Sequence, residues 1–209
     1  MTRGESLMMQ RVARFAFILA IGLMCLSPRS GQAAPGPSDV VRHFYDALLD
    51  AMKNAQALGA KGRFQKLEPV VLVTFDVPFM TRLAVGPLWA KLTPDQKQRA
   101  SKAFARYITA TYAKEFDDYG GERFEILGEQ PIKHATIVKT QLVKPDGDKV
   151  TINYALHDNE TALQIRDVYL AGTISELATR RSDFAATLRS GGIEALIAQL
   201  NKKADDLIA

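Results

Sequence analysis

Side chains that carry enzyme chemistry are scarce in this sequence of 209 residues. The three histidines, His43, His134 and His157, lie far apart and lack the short spacing of paired metal ligands. The nucleophile-elbow, phosphate-loop and dinucleotide-binding motifs are all missing. The adjacent acids Asp117 and Asp118 would point about 100° apart on a helix, so they cannot share a proton. The residues therefore predict no catalytic set, no metal site and no cofactor.

Cysteine is almost absent too. The single cysteine, Cys25, lies within residues 1–33, which have a basic start, an apolar run over 15–26 and the small residue Ala33 at a cleavage position. We expect this segment to be a signal peptide, leaving a protein without thiols or disulfides. An uncleaved membrane anchor is the alternative, although the run is short for a span. Lipidation of Cys25 is less compatible with the sequence, because Met24 precedes it.

Excess positive charge is confined to the same segment. Residues 1–33 hold four arginines and one glutamate, so they contribute +3 of the formal net charge of +4. The remaining chain is close to neutral, and its charge does not indicate nucleic-acid binding. Residues 34–38, with two prolines and a glycine, predict a flexible leader. Residues 39–205 contain no internal repeat or second boundary and predict one domain.

Helical periodicity marks the first part of this domain. Ser38 or Asp39 is expected to cap a first helix, whose apolar residues recur every three or four positions. Glycines at 59 and 62 predict a break. A second helix is expected from Phe64, and Pro69 must then lie in its first turn unless the helix starts later.

Two further helices are predicted before residue 122. A short one covers Pro78–Val85 and ends at Gly86. The second has a strong start signal at Thr93–Gln96, where a hydroxyl cap, a proline, an acid and a glutamine follow one another. Its apolar positions continue to Phe116, and Gly120 is expected to end it.

The apolar period then changes from 3.6 to 2, which indicates strands. Strands are predicted around Phe124–Ile126, Thr136–Leu142, Val150–Leu156 and Leu163–Ile165, joined by short turns. The expected class is α+β: an antiparallel four-stranded meander covered by N-terminal and C-terminal helices.

Bulky apolar residues are abundant, most of all in the run Val70–Trp89. Such density around a short helix indicates burial on two sides. Two interpretations follow from composition alone: a solid core, or a surface that partly lines a cavity.

A family resemblance is carried mainly by the stretch from Leu163 to Leu200. Its motifs are Asp167-Val168, Gly172-Thr173-Ile174-Ser175, Arg181-Ser182-Asp183-Phe184 and Gly192-Ile193 to Leu200, with support from Leu83–Pro87 and Gly121–Phe124. In this pattern the chain resembles the periplasmic lipid-binding component of Mla-type (toluene-tolerance) transport systems, most closely the branch associated with hopanoid biosynthesis. The resemblance covers nearly all of the chain after residue 38.

The resemblance implies a non-enzymatic periplasmic carrier that encloses the apolar part of a phospholipid or a hopanoid. It would exchange lipid with an inner-membrane ABC-type transporter and an outer-membrane lipid complex. A cavity is then expected between helices and sheet, with weak head-group specificity. The lipid-binding residues expected are Val71, Phe75, Phe79, Leu83, Tyr107, Ile108, Tyr112, Ile152 and Tyr154. A non-catalytic accessory subunit with a solid core is the main alternative, and a small hydrolase is a third.

The C-terminal stretch also predicts a structural ion pair. Thr173 and Glu176 have the spacing of a capping box, and the helix behind them places Arg181 in an apolar stripe. A buried guanidinium needs a carboxylate or several carbonyls; Asp167, across the turn at Gly172, is the best candidate, and nearby carbonyls are the other. The alternative is that Arg181 lies at the cavity mouth and binds a phosphate head group.

Overall fold

The computed structural model describes residues 35–158 and 162–209. Within it, Pro35–Ala209 form one compact unit. The predicted signal peptide lies outside the described residues. The predicted leader lies partly outside them as well, and its last two residues belong to the first helix.

Five α-helices and one 3₁₀ segment make up the helical part of the described chain. They are α1 (Pro37–Lys53), α2 (Ala55–Thr74), α3 (Val77–Val85), the 3₁₀ segment (Gly86–Lys91), α4 (Pro94–Glu115) and α5 (Glu176–Ile208). Both α2 and α5 contain a kink at a glycine with positive φ, Gly59 and Gly192 respectively. The break that the sequence predicts at Gly59 is therefore a bend between helical segments that follow directly on one another, and α5 bends in the same way at Gly192.

A five-stranded antiparallel sheet forms the other layer. Its strands are β1 (Arg123–Ile132), β2 (Ala135–Val143), β3 (Lys149–Asp158), β4 (Leu163–Leu170) and β5 (Ile174–Ser175), paired in chain order. The predicted α+β meander is confirmed, and the two-residue β5 is an addition to the four expected strands. On β3, the alternating residues Ile152, Tyr154 and Leu156 are all buried, as the period of two requires.

The start of α4 agrees with the sequence prediction, whereas the starts of α1 and α2 differ from it. The capping box at Thr93 is confirmed: its hydroxyl accepts from the Gln96 N–H at 3.2 Å, and the Gln96 amide oxygen accepts from the Thr93 N–H at 3.1 Å. The first helix, however, is capped at Gly36, whose N–H donates to the Asp39 carboxylate. Pro69 lies well inside α2 and not in a first turn.

The core lies between α1 and the sheet and extends under α4 and α5. Phe44 of α1 is fully buried, and its ring meets Phe75, Tyr112 and Tyr154 at centroid distances of 5.0, 5.0 and 6.3 Å. Tyr45 stacks on Phe124 of β1 at 4.1 Å. These aromatic contacts join α1 to the sheet and to the helices on its other side, and they fix the position of the site described next.

Candidate functional site

A cavity of about 410 Å³ lies between α3, α4, the start of α5 and the inner face of β3 and β4. This volume is within the usual range of sites for small organic ligands, about 300–1,000 Å³. Most of its wall is apolar. The lining residues are Phe75, Met80, Phe104, Ile108, Thr111, Tyr112, Glu115, Phe116, Ile152, Tyr154, Val168, Leu170, Glu176, Leu177 and Arg180.

One face of α4 supplies the longest part of the wall. Phe104, Ile108, Tyr112 and Phe116 recur every four residues, and such residues lie one above another on a helix. Phe104 also meets Phe184 of α5 edge to face at 6.2 Å. This face therefore extends along the cavity from the interior towards the end of α4.

The part of the cavity wall that is backed by Phe44 is aromatic and uncharged. Phe75, Tyr112 and Tyr154 line it, and each of the three rings packs against Phe44 behind it. Burial raises the pKa of Tyr112 and of Tyr154 above the usual tyrosine value. Both hydroxyls are thus even harder to ionise than that of a free tyrosine, and this uncharged part of the wall suits an apolar ligand.

The exposed part of the lining is the mouth. Here the lining includes the exposed side chains of Glu115 and Leu170 and the half-buried Thr111, Glu176 and Arg180. The charged lining residues Glu115, Glu176 and Arg180 thus all occur where the cavity meets solvent. The arrangement suits an amphiphile whose apolar part lies inside and whose polar part stays near water.

Arg180 has the most contacts among the charged groups of the mouth. Its Nη1 donates to the Tyr107 hydroxyl at 3.1 Å, and its Nη2 donates to Glu176 Oε2 at 3.1 Å. Asp183 Oδ2 is 3.8 Å from Nη1. The side chain remains 25% exposed, so the guanidinium is positioned by its neighbours without being closed off from solvent.

Five of the nine residues expected to bind lipid line this cavity: Phe75, Ile108, Tyr112, Ile152 and Tyr154. Whether they contact a lipid stays a prediction. Phe104 and Phe116 were not on that list, although they share the four-residue spacing of Ile108 and Tyr112, and this spacing could have identified them.

The other four expected residues lie outside the lining. Val71 is fully buried in the core, and Leu83 is 38% exposed. Phe79 packs on the Arg166 guanidinium, 4.2 Å from its ring centroid. Tyr107 does not line the cavity itself, but its hydroxyl contacts the lining residue Arg180 and its ring is buried.

The predicted Arg181–Asp167 pair is wrong. Arg181 is exposed and packs over the backbone of Gly86. Asp167 instead accepts from the Ser175 hydroxyl at 2.6 Å and from the Leu177 N–H at 3.2 Å. Ser175 caps α5 and Ile174 belongs to β5, so Asp167 lies beside the helix start and accepts from its donors. Of the two arginines between Leu177 and Phe184, Arg180 lines the cavity and Arg181 does not.

The turn at Gly172 lies between β4 and β5, just ahead of α5. Ala171 and Gly172 both have positive φ, at 48° and 81°, a conformation that glycine adopts without strain. The Thr173 N–H donates to the Leu170 carbonyl across the turn. This turn joins β4 to β5 and places Asp167 beside the first turn of α5.

We expect Asp167→Ala to lower the free energy of unfolding by about 1–2 kcal/mol, because it removes a cap from the first turn of α5. Arg181→Met is the matched control and should change stability by no more than about 0.5 kcal/mol, as exposed substitutions do. Urea denaturation of both variants measures this. A larger loss for Arg181→Met than for Asp167→Ala would restore the buried-pair interpretation.

In residues 35–158 and 162–209 there is no group of three or more His, Cys, Asp or Glu side chains placed to hold a metal ion. No helix of this described part has the length and apolar character needed to span a membrane.

The fold and the cavity together define a class: an α+β domain with a mostly apolar cavity between helices and sheet and charged residues at its mouth. A family comparison makes this specific. The chain belongs to the MlaC protein family, whose model matches residues 42–202. The family consists of non-enzymatic lipid-binding carriers of the periplasm.

A solved structure agrees with the fold. The phospholipid-binding protein from Ralstonia solanacearum, solved in complex with a phospholipid, is similar to this chain with a TM-score of 0.72 and 18% sequence identity. The match covers 85% of this chain and 100% of that one. At this identity the likeness shows the shared fold.

Proposed function

We propose that this protein carries a phospholipid across the periplasm, holding the acyl chains in the cavity and the head group at the mouth. The observation that supports it is the division of the cavity into an apolar interior and a charged opening. Membership of the MlaC family supports the same proposal, as does the phospholipid bound to the similar Ralstonia solanacearum protein.

The energetics favour an enclosed carrier. Burial of a methylene group contributes about 0.8 kcal/mol, so two acyl chains of about 16 carbons each cost on the order of 25 kcal/mol to expose to water. A shallow groove would leave much of the acyl chains exposed to water and would therefore remove only part of this cost. The aromatic faces of α4 and β3 remove apolar surface from water along the length of the cavity, whereas Arg180 and Glu176 leave the polar end solvated.

The compartment and the partners are part of the same proposal. We infer that residues 1–33 direct export and are removed, and that the mature protein exchanges lipid with an inner-membrane ABC-type transporter and an outer-membrane lipid complex. N-terminal sequencing of the protein from cells should find Ala34 or Pro35 first. Detection of Met1, or of a lipidated Cys25, would contradict export as a cleaved protein.

Two alternatives make different predictions. A hopanoid ligand, which the resemblance in sequence raises, is a rigid polycycle, whereas acyl chains are flexible; organic extraction of the purified protein separates the two chemically. An accessory subunit of an envelope complex would need no ligand at all and would bind no lipid of either kind.

Lipid transfer between vesicles tests the carrier directly. Donor vesicles containing a fluorescent phospholipid and a quencher are mixed with unlabelled acceptors, and fluorescence is followed with and without the mature protein. The carrier should accelerate dequenching in proportion to its concentration. A rate equal to that of spontaneous exchange at every protein concentration would contradict the proposal.

A further inference from the structure

We propose that the mouth of the cavity selects a zwitterionic phosphodiester head group, with the phosphate on Arg180 and the amine on Glu115 and Glu176. This inference rests on the proposed function, because it assumes that the apolar part of the ligand fills the cavity. It adds a head-group preference that the apolar cavity alone would not create.

Arg180 can accept a phosphate in its present position. A guanidinium has five N–H donors, and the Arg180 contacts to Tyr107 and Glu176 each use one N–H. Its planar fork suits two oxygens of one phosphate. Tyr107, whose ring is buried, keeps the guanidinium on the cavity wall while the side chain stays 25% exposed.

Arg180 and the cavity interior are adjacent. Leu177, three residues earlier on α5 and thus on the same helix face, lines the cavity together with Arg180. Tyr112 lies near both regions, because the charges of Glu176 and Arg180 act on it. Burial raises the pKa of Tyr112 most, the nearby Tyr45 and Glu176 raise it further, and Arg180 lowers it. A phosphate on Arg180 would therefore lie next to the apolar wall, where the head group of an inserted lipid must leave the cavity.

The carboxylates of the mouth supply the second half of the recognition. Glu176, which is 28% exposed, pairs with Arg180, and Asp183 lies near the same guanidinium. Glu115 lines the mouth from the end of α4. Lys203 lies 5.8 Å from the Tyr107 ring centroid and is not a lining residue. Among the described charged residues that line the cavity, the two carboxylates Glu115 and Glu176 thus outnumber the one cation, Arg180.

The excess of carboxylates at the mouth favours a zwitterionic head group over an anionic one. A phosphate that binds the remaining N–H donors of Arg180 neutralises the guanidinium charge, so Glu176 keeps its hydrogen bond but loses its net positive partner. An amine on the same head group replaces the lost cation, and Glu115 strengthens the attraction. A phosphoglycerol head group brings the same phosphate without an amine, so its charge meets carboxylates with no compensation.

Competition between lipids with identical acyl chains tests the proposal. The lipid-stripped mature protein is offered phosphatidylethanolamine, phosphatidylglycerol and diacylglycerol in equal amounts, and the bound lipids are quantified by mass spectrometry. We expect phosphatidylethanolamine to exceed phosphatidylglycerol about fivefold, the effect of about 1 kcal/mol from partly exposed charges. Equal binding of these two lipids would overturn the head-group inference.

Substitutions test which residues cause the preference for phosphatidylethanolamine over phosphatidylglycerol. Glu115→Gln, at an exposed position that folding does not require, should reduce the preference to about twofold. Arg180→Met should lower the amount of bound phosphatidylethanolamine towards the amount of bound diacylglycerol. Arg181→Met, at an exposed position outside the cavity lining, should bind the three lipids like the unaltered protein. A fivefold preference that persists in both Glu115→Gln and Arg180→Met would refute the assignment.

Two further arms separate this inference from the function it rests on. Binding of diacylglycerol with no preference among head groups would leave the carrier intact and remove the head-group role. Failure to bind any of the three lipids would instead contradict the carrier itself. Free phosphoethanolamine should not displace bound lipid at equal concentration; displacement would mean that the mouth serves a soluble phosphate compound.

Discussion

Ile108→Trp is expected to lower phospholipid occupancy at least tenfold while the domain stays folded. Ile108 lies on the cavity face of α4 between Phe104 and Tyr112, so a larger ring there takes up ligand space. Loss of room for about two methylene groups costs about 1.6 kcal/mol, which is more than tenfold in affinity. The measurement is lipid per chain by organic extraction, with circular dichroism to confirm folding.

Leu83→Trp is the matched control for this substitution. Leu83 was expected at the ligand from the sequence, but it is 38% exposed and lies outside the cavity lining. The control should keep its lipid. A folded Ile108→Trp protein with full occupancy would place the ligand elsewhere, and loss of lipid in Leu83→Trp alone would move the site to the outer face of α3.

Phe44→Ala is expected to lower the free energy of unfolding by about 4 kcal/mol, the usual scale for truncating a buried phenylalanine. Phe44 is fully buried and contacts Phe75, Tyr112 and Tyr154, three residues of the cavity wall. Its removal leaves a void behind that wall and frees the three rings. Urea denaturation of the lipid-free protein measures the loss.

The adjacent His43→Ala provides the comparison for Phe44→Ala. His43 is exposed on the same helix, so its truncation should change stability by no more than about 0.5 kcal/mol. Equal losses for the two variants would mean that α1 contributes through its helical propensity and not through the aromatic contacts that back the cavity.

Local patterns predicted much of the architecture. The alternation on β3 identified the inward residues Ile152 and Tyr154, because the side-chain period of a strand is fixed. Thr93–Gln96 marked the start of α4 because all of its capping signals occur together. From that start, the helical period placed Ile108 and Tyr112 on the inner face.

Features that depend on packing between distant segments could not be predicted in the same way. The run Val70–Trp89 is apolar, yet Leu72 and Val73 are 52% and 67% exposed. The apolar character of a residue in such a run does not show which distant segment, if any, packs against it. Leu83 and Phe79 were assigned to the cavity for this reason, and the structure places both outside its lining.

The error at Arg181 has a different cause. Thr173 and Ser175 are both suitable hydroxyl caps, and the choice between them sets where α5 begins. Pairing of Ile174 with Leu170 in the sheet selects Ser175, and this contact between strands is not visible in the local sequence. With α5 beginning there, Asp167 accepts from the Leu177 N–H of the first turn, and the packing of α5 on the cavity brings Arg180 into the lining.

The most direct measurement of the central claim is native mass spectrometry of the mature protein purified from cells without added lipid, followed by organic extraction. The account predicts close to one phospholipid per folded chain, released when the protein unfolds. Folded protein that carries neither phospholipid nor any other lipid would contradict the carrier and favour an accessory subunit.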